Sequence, residues 1–567
     1  MGILFLCHSF NSLTQRLYVE LSERGHEVSV EFDVNDEVTQ EAVDLFEPEL
    51  IIAPFLKRAI PEAVWRNHVC LVVHPGIRGD RGPSALDWAI LNGETRWGVT
   101  LLQANEEMDA GDIWASVEFP MRDATKASLY RNEVTEAAVE AVLAAVARLG
   151  DDAFTPEPLD YAKPDVQGQL RSLMQQSDRS IDWQHDDTVT VLSKVRCADG
   201  FPGVKDRIGD RELFLYDARQ EHELTGSAGE LIARSGPAVC RATKDGAVWI
   251  GHMRDPMGEH PFKLPAVEVL KSEISGLSEV EATPSSGYRD IWYEEDNGVG
   301  YLHFSFYNGA MGTEQCERLR QAFIAARERE TRVIVLVGGP DYWSNGMHLN
   351  LIESAESTAD ESWNNINAID DLAREIITTK SHITVSALCG NAGAGGVFLA
   401  RAADRVWARS GVILNPHYKD MGNLYGSEYW TYLMSKNAGE ENTRRISQGR
   451  LPMGAAEAQE LGLIDGRFEV GPQLFPQQVR EEAERLAQHA GFDQLLQGKR
   501  KNRQQDEETK RLESYRQQEL EKMHLNFYGF DPSYHVARYN FVYKVPKSRT
   551  PLTIAKHRRV SKLRDAS

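Results

Sequence analysis

The residues best placed to do chemistry lie between Leu71 and Ile113, a stretch that reads LVVHPGIRGDRGPSALDWAI…GVTLLQANEEMDAGDI. Leu71-Val72-Val73 is a short apolar, β-branched run of the kind that forms a buried parallel strand. His74 stands where that strand ends, and the carboxyl end of a strand is where ligands bind in an open α/β sheet. A second predicted strand, Gly98 to Gln103, is followed by Met108-Asp109-Ala110-Gly111-Asp112. An imidazole and a carboxylate that both follow strands can shuttle a proton, the carboxylate orienting the imidazole and raising its basicity. Taken alone, a His beside a turn serves structure at least as readily as catalysis.

The elements that must hold these groups read as an α/β domain. Ile3 to Cys7 predicts a first strand, Leu13 to Arg24 an amphipathic helix with Gly25 at its C-cap, and Glu27 to Phe32 a second strand. The loop Cys7 to Ser12 therefore opens at another strand end, where Ser9 and Gln15 could bind a polar ligand while Ser12 caps the helix. Leu50 to Ala53 is a third strand. Thr125 to Leu149 is a predicted helix with Arg131 in its first two turns, a candidate phosphate contact. From about residue 165 to 275 the texture changes to short strands with turn punctuation. Near Tyr288 a new pattern begins: an alternating strand at Val299–Phe306, an amphipathic helix at Thr313–Arg329 and a buried strand at Val333–Val337. Two glycine-bearing turns follow strands and run into helices, Trp343-Ser344-Asn345-Gly346-Met347-His348-Leu349 and Cys389-Gly390-Asn391-Ala392-Gly393-Ala394-Gly395-Gly396. Two N–H groups aimed at one oxygen from such turns make an oxyanion hole. Residues 495–525 are almost wholly polar, a solvated helix or linker.

Composition sets the frame. A chain of 567 residues accommodates about three domains at about 100–200 residues each, and 41% hydrophobic with 26% charged residues is ordinary for a globular protein. No apolar run reaches the ~20 residues of a membrane span. MGILFLCHSFNS lacks a basic start and reads as a first strand rather than a signal peptide. The six cysteines are scattered without a C-x-x-C pair, which fits a reducing cytoplasm and argues against a common metal site. A net charge of −22 disfavours a nucleic-acid partner. The charge is uneven: Arg538 to Ser567 carries nine Lys or Arg against one Asp, a basic end suited to a small anionic ligand or to simple solvation.

Three resemblances sharpen these readings. HPG…RG…GVT…MDAGDI resembles the HPSLLP…RG…GVT…LDTGDI motif of the folate-dependent formyltransferases, whose His and Asp fall on His74 and Asp109. The family's Asn two residues before the His is replaced here by Val72. Arg179-Ser180-Ile181-Asp182-Trp183 and the segments after it resemble the β-barrel of the OB type that closes those enzymes. The two glycine turns, with Gly454-Ala455-Ala456-Glu457-Ala458…Gly462-Leu463-Ile464-Asp465, resemble the crotonase (enoyl-CoA hydratase/isomerase) family. That resemblance implies oxyanion donors at the N–H groups of Met347 and Gly395. It also puts Phe398 and His417 where the hydratase glutamates belong, which disfavours water addition. Tyr418 and Glu428 remain nearby and could donate and accept one proton beside a thioester carbonyl.

The combination resembles the HypX/HoxX hydrogenase-maturation family over the full length. The expected architecture is α/β and multidomain: a Rossmann-like formyltransferase domain at 1–164, a small OB-type β-barrel at 165–280, a crotonase-fold domain at 286–490 and a helical, basic tail at 491–567. The resemblance implies a cytoplasmic enzyme that moves the formyl group of 10-formyltetrahydrofolate to coenzyme A and decomposes formyl-CoA to CO for a nickel–iron hydrogenase. Expected partners are small molecules and hydrogenase maturation proteins, without nucleic acid, membrane or metal. Ser9, Gln15, Arg131, Asn308, Arg538 and Arg549 are the candidate cofactor contacts. A formyltransferase acting on another acceptor and a non-catalytic scaffold binding folate and CoA are the alternatives.

Overall fold

A computed structural model describes residues 1–559, which fall into two compact units: residues 1–288 together with the tail from Lys547, and Arg289–Pro546. The first unit opens with a six-stranded sheet in the order Glu27–Phe32, Gly2–Cys7, Leu50–Phe55, Cys70–His74, Arg96–Gln103, Ile113–Pro120. The first four strands are parallel and the last two antiparallel to their neighbours. The chain order reverses at Gly2–Cys7, so a crevice opens beside its carboxyl end, where such sheets bind ligands.

Residues 165–275 hold the expected short strands, but a helix comes first. Asp187 caps Thr188–Ala198 by accepting from the Thr190 N–H at 2.8 Å, and Val191, Leu192, Val195 and Ala198 turn one buried face towards the strands. Those strands are antiparallel, in the order Val204–Ile208, Arg211–Glu221, Ala247–Arg254, Ala238–Ala242, Leu231–Ser235.

The tail does not stay with one unit. Residues 491–546 belong to the second, while residues 547–559 return to the first. There they cover the free edge of Glu27–Phe32: Val30 N–H donates to the Ile554 carbonyl at 3.0 Å, and Phe32 N–H to Thr550 Oγ1 at 2.7 Å. Covering an edge removes a template for unwanted pairing. Glu31, buried in this contact, accepts from His557, Arg558 and Thr550. Burial pushes its carboxyl up, but those hydrogen bonds outweigh burial and hold it below the usual range. Lys562 and Arg564 of the basic end lie outside the described residues.

The second unit has a six-stranded sheet, Ile291–Asp296, Val299–Phe304, Val333–Val337, Ile383–Leu388, Arg405–Arg409, Gly466–Phe468, parallel after its opening hairpin. Three of its strands are each followed by a short strand of a second sheet: Tyr342–Ser344, Asn391–Gly393 and Ile413–Asn415. This repetition places corresponding loops side by side. The polar stretch at 495–525 is helical: Phe492–Thr509 is largely solvated, as one of the two readings had it, while Leu512–Tyr528 buries Glu519, Met523 and Phe527. Among the described residues, no helix is long and apolar enough to cross a membrane, and no three His, Cys, Asp or Glu side chains gather as metal ligands.

Candidate active sites

In the first unit His74 ends its strand and is buried. The strand before Asp109 runs antiparallel to it, with His74 opposite Thr100 and Leu71 opposite Gln103. The two strands therefore end at opposite edges, contrary to the simplest reading of the sequence, and the loop after Gln103 must carry Asp109 back. Gly111 makes that path possible, because a Cβ there would stand 1.7 Å from the Gln103 carbonyl oxygen. Asp109 arrives with a left-handed backbone at φ 55°, which Asp tolerates better than most residues. Its Oδ2 accepts from the Gly82 N–H at 3.1 Å and lies 3.6 Å from His74 Nδ1.

A second carboxylate, which sequence reading passed over inside the glycine-rich turn, takes the other face of the ring: Asp80 Oδ1 lies 2.9 Å from His74 Nε2. The turn itself is pinned by Trp97 Nε1 donating to the Pro75 carbonyl at 2.8 Å and Thr100 Oγ1 to the Gly76 carbonyl at 2.9 Å. Val72 is half-buried against the apolar cluster of this sheet.

The loop beyond Gly2–Cys7 is shaped by Asn11, not Ser12, which is the first helical residue: Asn11 Oδ1 caps the helix by accepting from the Thr14 N–H at 3.0 Å. Ser9 and Gln15 are half-buried here, with Gln15 Nε2 donating to the Phe10 carbonyl at 2.9 Å. Asn11 Nδ2 also donates to the Tyr130 hydroxyl at 3.5 Å, and Arg131 follows Tyr130 in the chain. The expected single helix is broken there. Lys126–Leu129 and Thr135–Arg148 flank a π-helical turn, Tyr130–Val134, a distortion common at functional sites and without a signature in the residue pattern.

In the second unit, parallel pairing of Tyr342–Ser344 with Asn391–Gly393 sets the two glycine turns side by side. A Cβ on Gly346 would lie 3.5 Å from the Gly395 nitrogen. Met347 is half-buried against the core, and Gly395 opens the helix Gly395–Arg401, so its N–H is one of those without an intrahelical acceptor. Asn308 supports this loop: its carbonyl accepts from Asn345 Nδ2 at 2.8 Å.

Against Gly395 lies Glu428, buried and with a left-handed backbone at φ 61°. The Tyr418 hydroxyl donates to Glu428 Oε2 at 2.6 Å, and the Tyr418 ring stacks on Phe398 with centroids 5.5 Å apart. Two further buried carboxylates, Asp370 and Glu519, hold the backbone that presents Glu428. Asp370 accepts from the Glu428 N–H and the Ser427 hydroxyl, both at 2.8 Å, and Glu519 from the Tyr429 and Thr431 N–H groups at 3.0 and 2.8 Å. The guanidinium of Arg516, 3.7 Å from Asp370, faces this group. Burial, then the charge of Asp370, pushes the Glu428 carboxyl up to about 8; the same two causes raise Glu519 to about 8. Burial raises Asp370 only to about 6, because Arg516 opposes it. Burial and the neighbouring Glu428 hold the Tyr418 hydroxyl well above its ordinary value. A carboxyl that exchanges its proton near neutral pH beside an oxyanion-type turn suits acid–base work. Asp370 and Glu519 escaped sequence reading because single carboxylates on polar helices read as surface. His417 is buried by its side chain next to Tyr418, 3.8 Å from Asp420, and burial lowers its pKa.

The two tail arginines part company. Arg538 is buried and donates to Glu353 Oε2 at 2.7 Å, with its guanidinium over the Tyr534 ring. Arg549 is exposed and lies in the first unit.

With this geometry in place, the comparisons with known proteins agree on both halves. Residues 19–146 match the formyl transferase family model, 173–262 the formyl transferase C-terminal domain, and 294–530 the enoyl-CoA hydratase/isomerase model. The hydrogenase maturation factor HoxX of Bradyrhizobium diazoefficiens is 58% identical over 558 residues, 98% of this chain and 97% of that protein. The crystal structure of HypX from Aquifex aeolicus in complex with tetrahydrofolic acid superposes with a TM-score of 0.94 at 51% identity, covering 98% of each chain. A methionyl-tRNA formyltransferase of Bacillus licheniformis is 24% identical over 228 residues, 40% of this chain and 71% of that protein.

Proposed function

Since the chain belongs to the HypX/HoxX family of hydrogenase maturation factors, we propose that it moves the formyl group of 10-formyltetrahydrofolate to coenzyme A and then splits formyl-CoA into CO and CoA. In the first step a thiol adds to a formyl carbon, which calls for a base and for a proton delivered to the departing folate nitrogen. His74 with Asp109 meets that need. The likeness to a family member whose structure is described as a complex with tetrahydrofolic acid supports folate as the donor.

In the second step the formyl C–H proton leaves carbon, the C–S bond breaks and sulfur regains a proton. The Met347 and Gly395 N–H groups hold the carbonyl oxygen. Tyr418 and Glu428 handle the proton, and Phe398 keeps out water that would give formate instead. The observation that carries this reading is the Tyr418–Glu428 pair, 2.6 Å apart, buried against the Gly395 turn where a hydratase would present other carboxylates. CO from the second step would serve the iron centre of a hydrogenase, the process for which the family is named.

The test is to incubate the pure protein with 10-formyltetrahydrofolate and CoA, follow tetrahydrofolate release and trap CO with haemoglobin. CoA-dependent CO is the expected product. Tetrahydrofolate release without need of CoA would point to another acceptor, and no turnover to a binding scaffold.

A further inference from the structure

The His74 ring lies between two carboxylates that are not equivalent. Nε2 is 2.9 Å from Asp80 Oδ1, a hydrogen-bond distance, while Nδ1 is 3.6 Å from Asp109 Oδ2, beyond one. The Asp80 side chain is 0% exposed and that of Asp109 12%. Asp80 is also the better fixed. Its Oδ2 accepts from Arg171 Nε at 3.2 Å. The backbone of its turn is tied to the segment carrying that arginine, Arg81 N–H to the Gln169 carbonyl at 3.2 Å and Arg171 N–H to the Arg81 carbonyl at 2.9 Å. Asp109 is instead held by one backbone N–H, that of Gly82.

An ionised carboxylate only accepts. The short contact with Asp80 therefore puts the proton of a neutral imidazole on Nε2 and leaves the Nδ1 lone pair on the side of Asp109. We propose that Asp80 is the positioning residue of the formyl-transfer site. It locks His74 in the Nε2–H form, so that Nδ1 is the base and Asp109 faces the reacting atoms rather than orienting the ring. This rests on the reading of the first unit as a formyltransferase. The step is then complete without any other reagent. The thiol sulfur bonds to the formyl carbon as its proton passes to Nδ1. The bond from that carbon to the folate nitrogen breaks with its electron pair on nitrogen, which takes the proton back from Nδ1. The role of Asp80 parallels that of carboxylates that fix a catalytic imidazole in one tautomer.

The experiment is nitrogen-15 NMR of the full-length protein labelled at histidine, with the His74 signals assigned by their loss in His74→Gln. The expected result is a single Nε2–H tautomer that survives in Asp109→Asn and becomes a mixture in Asp80→Asn. Tetrahydrofolate release by Asp80→Asn should fall in kcat by on the order of 100-fold, with KM for the folate nearly unchanged. An Nδ1–H tautomer in the parent protein, or an Asp80→Asn variant with parental tautomer and kcat, would overturn the assignment. Should Asp80→Asn not fold, the parent spectrum and that of Arg171→Met decide the point, since loss of the arginine should loosen the same tautomer. A parent protein with the Nε2–H tautomer and no formyl transfer would leave the geometry standing and sink the proposed function.

Discussion

The Glu428 carboxyl fills the space that a side chain at position 395 would need: a Cβ on Gly395 would stand 1.9 Å from Glu428 Oε1. The glycine is thus required twice, once to present its N–H and once to let the carboxyl approach it. Gly395→Ala should push Glu428 away and lower CO release by about 100-fold or more, the scale of a lost oxyanion donor or proton-transfer group. Tetrahydrofolate release, which uses other residues, should stay at the parent rate. Parent-level CO release by this variant would remove Glu428 from the chemistry.

Tyr418→Phe and Glu428→Gln should each stop CO release measured by haemoglobin capture while leaving folate deformylation intact. Phe398→Glu should divert product to formate by admitting water beside the carbonyl. If both single variants still release CO, His417, buried next to Tyr418, is the next base to test.

Acid dependence should separate the two steps. A Glu428 carboxyl raised to about 8 is mostly protonated at neutral pH, so a base-dependent CO release should climb by about tenfold per pH unit and level off above about 8. Glu428→Gln should lose that limb. Stability carries the opposite sign. The folded protein binds this proton more tightly than the unfolded chain, so the stability it contributes is full below the ordinary value of 4.5 and is lost as pH rises towards 8. Thermal melts of Glu428→Gln should therefore fall less than the parent's between pH 6 and pH 9, by about 2 °C or more. Equal losses would show that the folded carboxyl titrates normally.

His74→Ala or Asp109→Asn should lower tetrahydrofolate release by more than about 100-fold, because the first removes the base and the second the carboxylate that faces the reacting atoms. Stopped assays of both variants with 10-formyltetrahydrofolate and CoA check this.

The two tail arginines should answer differently to charge reversal. Arg538→Glu sets two carboxylates together in a buried pair with Glu353 and should destabilise the protein by about 3–5 kcal/mol. Arg549→Glu, at an exposed position, should leave the melting temperature unchanged and weaken CoA binding in a salt-sensitive way. Calorimetry at low and high salt tests the second, and a CoA affinity that ignores both salt and Arg549 would leave that arginine without a role in binding.

Removing residues 547–567 should uncover the strand Glu27–Phe32. Hydrogen exchange at the Val30 and Phe32 amides, which donate to the Ile554 carbonyl and Thr550 Oγ1, should then speed up by orders of magnitude. Protection that persists would mean that another segment covers this edge.

The sequence by itself determined the elements and the residue types that end them. The apolar run before His74 had to be a buried strand, and the glycine turns after Val333–Val337 and Ile383–Leu388 had to bend the chain into helices, because period and turn chemistry are local properties. The candidate roles of His74, Asp109, Met347 and Gly395 came from the motifs these segments share with the formyltransferase and crotonase families, not from period alone. Tertiary structure decided what no local pattern carries. Antiparallel pairing sent the strand before Asp109 the other way, so the approach of Asp109 to His74 depends on a loop and on the space left by Gly111. Asp80, Asp370 and Glu519 look like solvated charges in a linear reading. They come to face the sites only because the fold buries them against an imidazole or a strained turn, where hydrogen bonds and Arg171 or Arg516 offset part of the cost of desolvating a carboxylate. The same holds for the tail, whose basic residues suggested an anion ligand: the fold sets Arg538 against Glu353 and Arg558 against Glu31, pairings that no local pattern carries. Charge is visible in a sequence, but which charge faces which is a matter of distances that only folding sets.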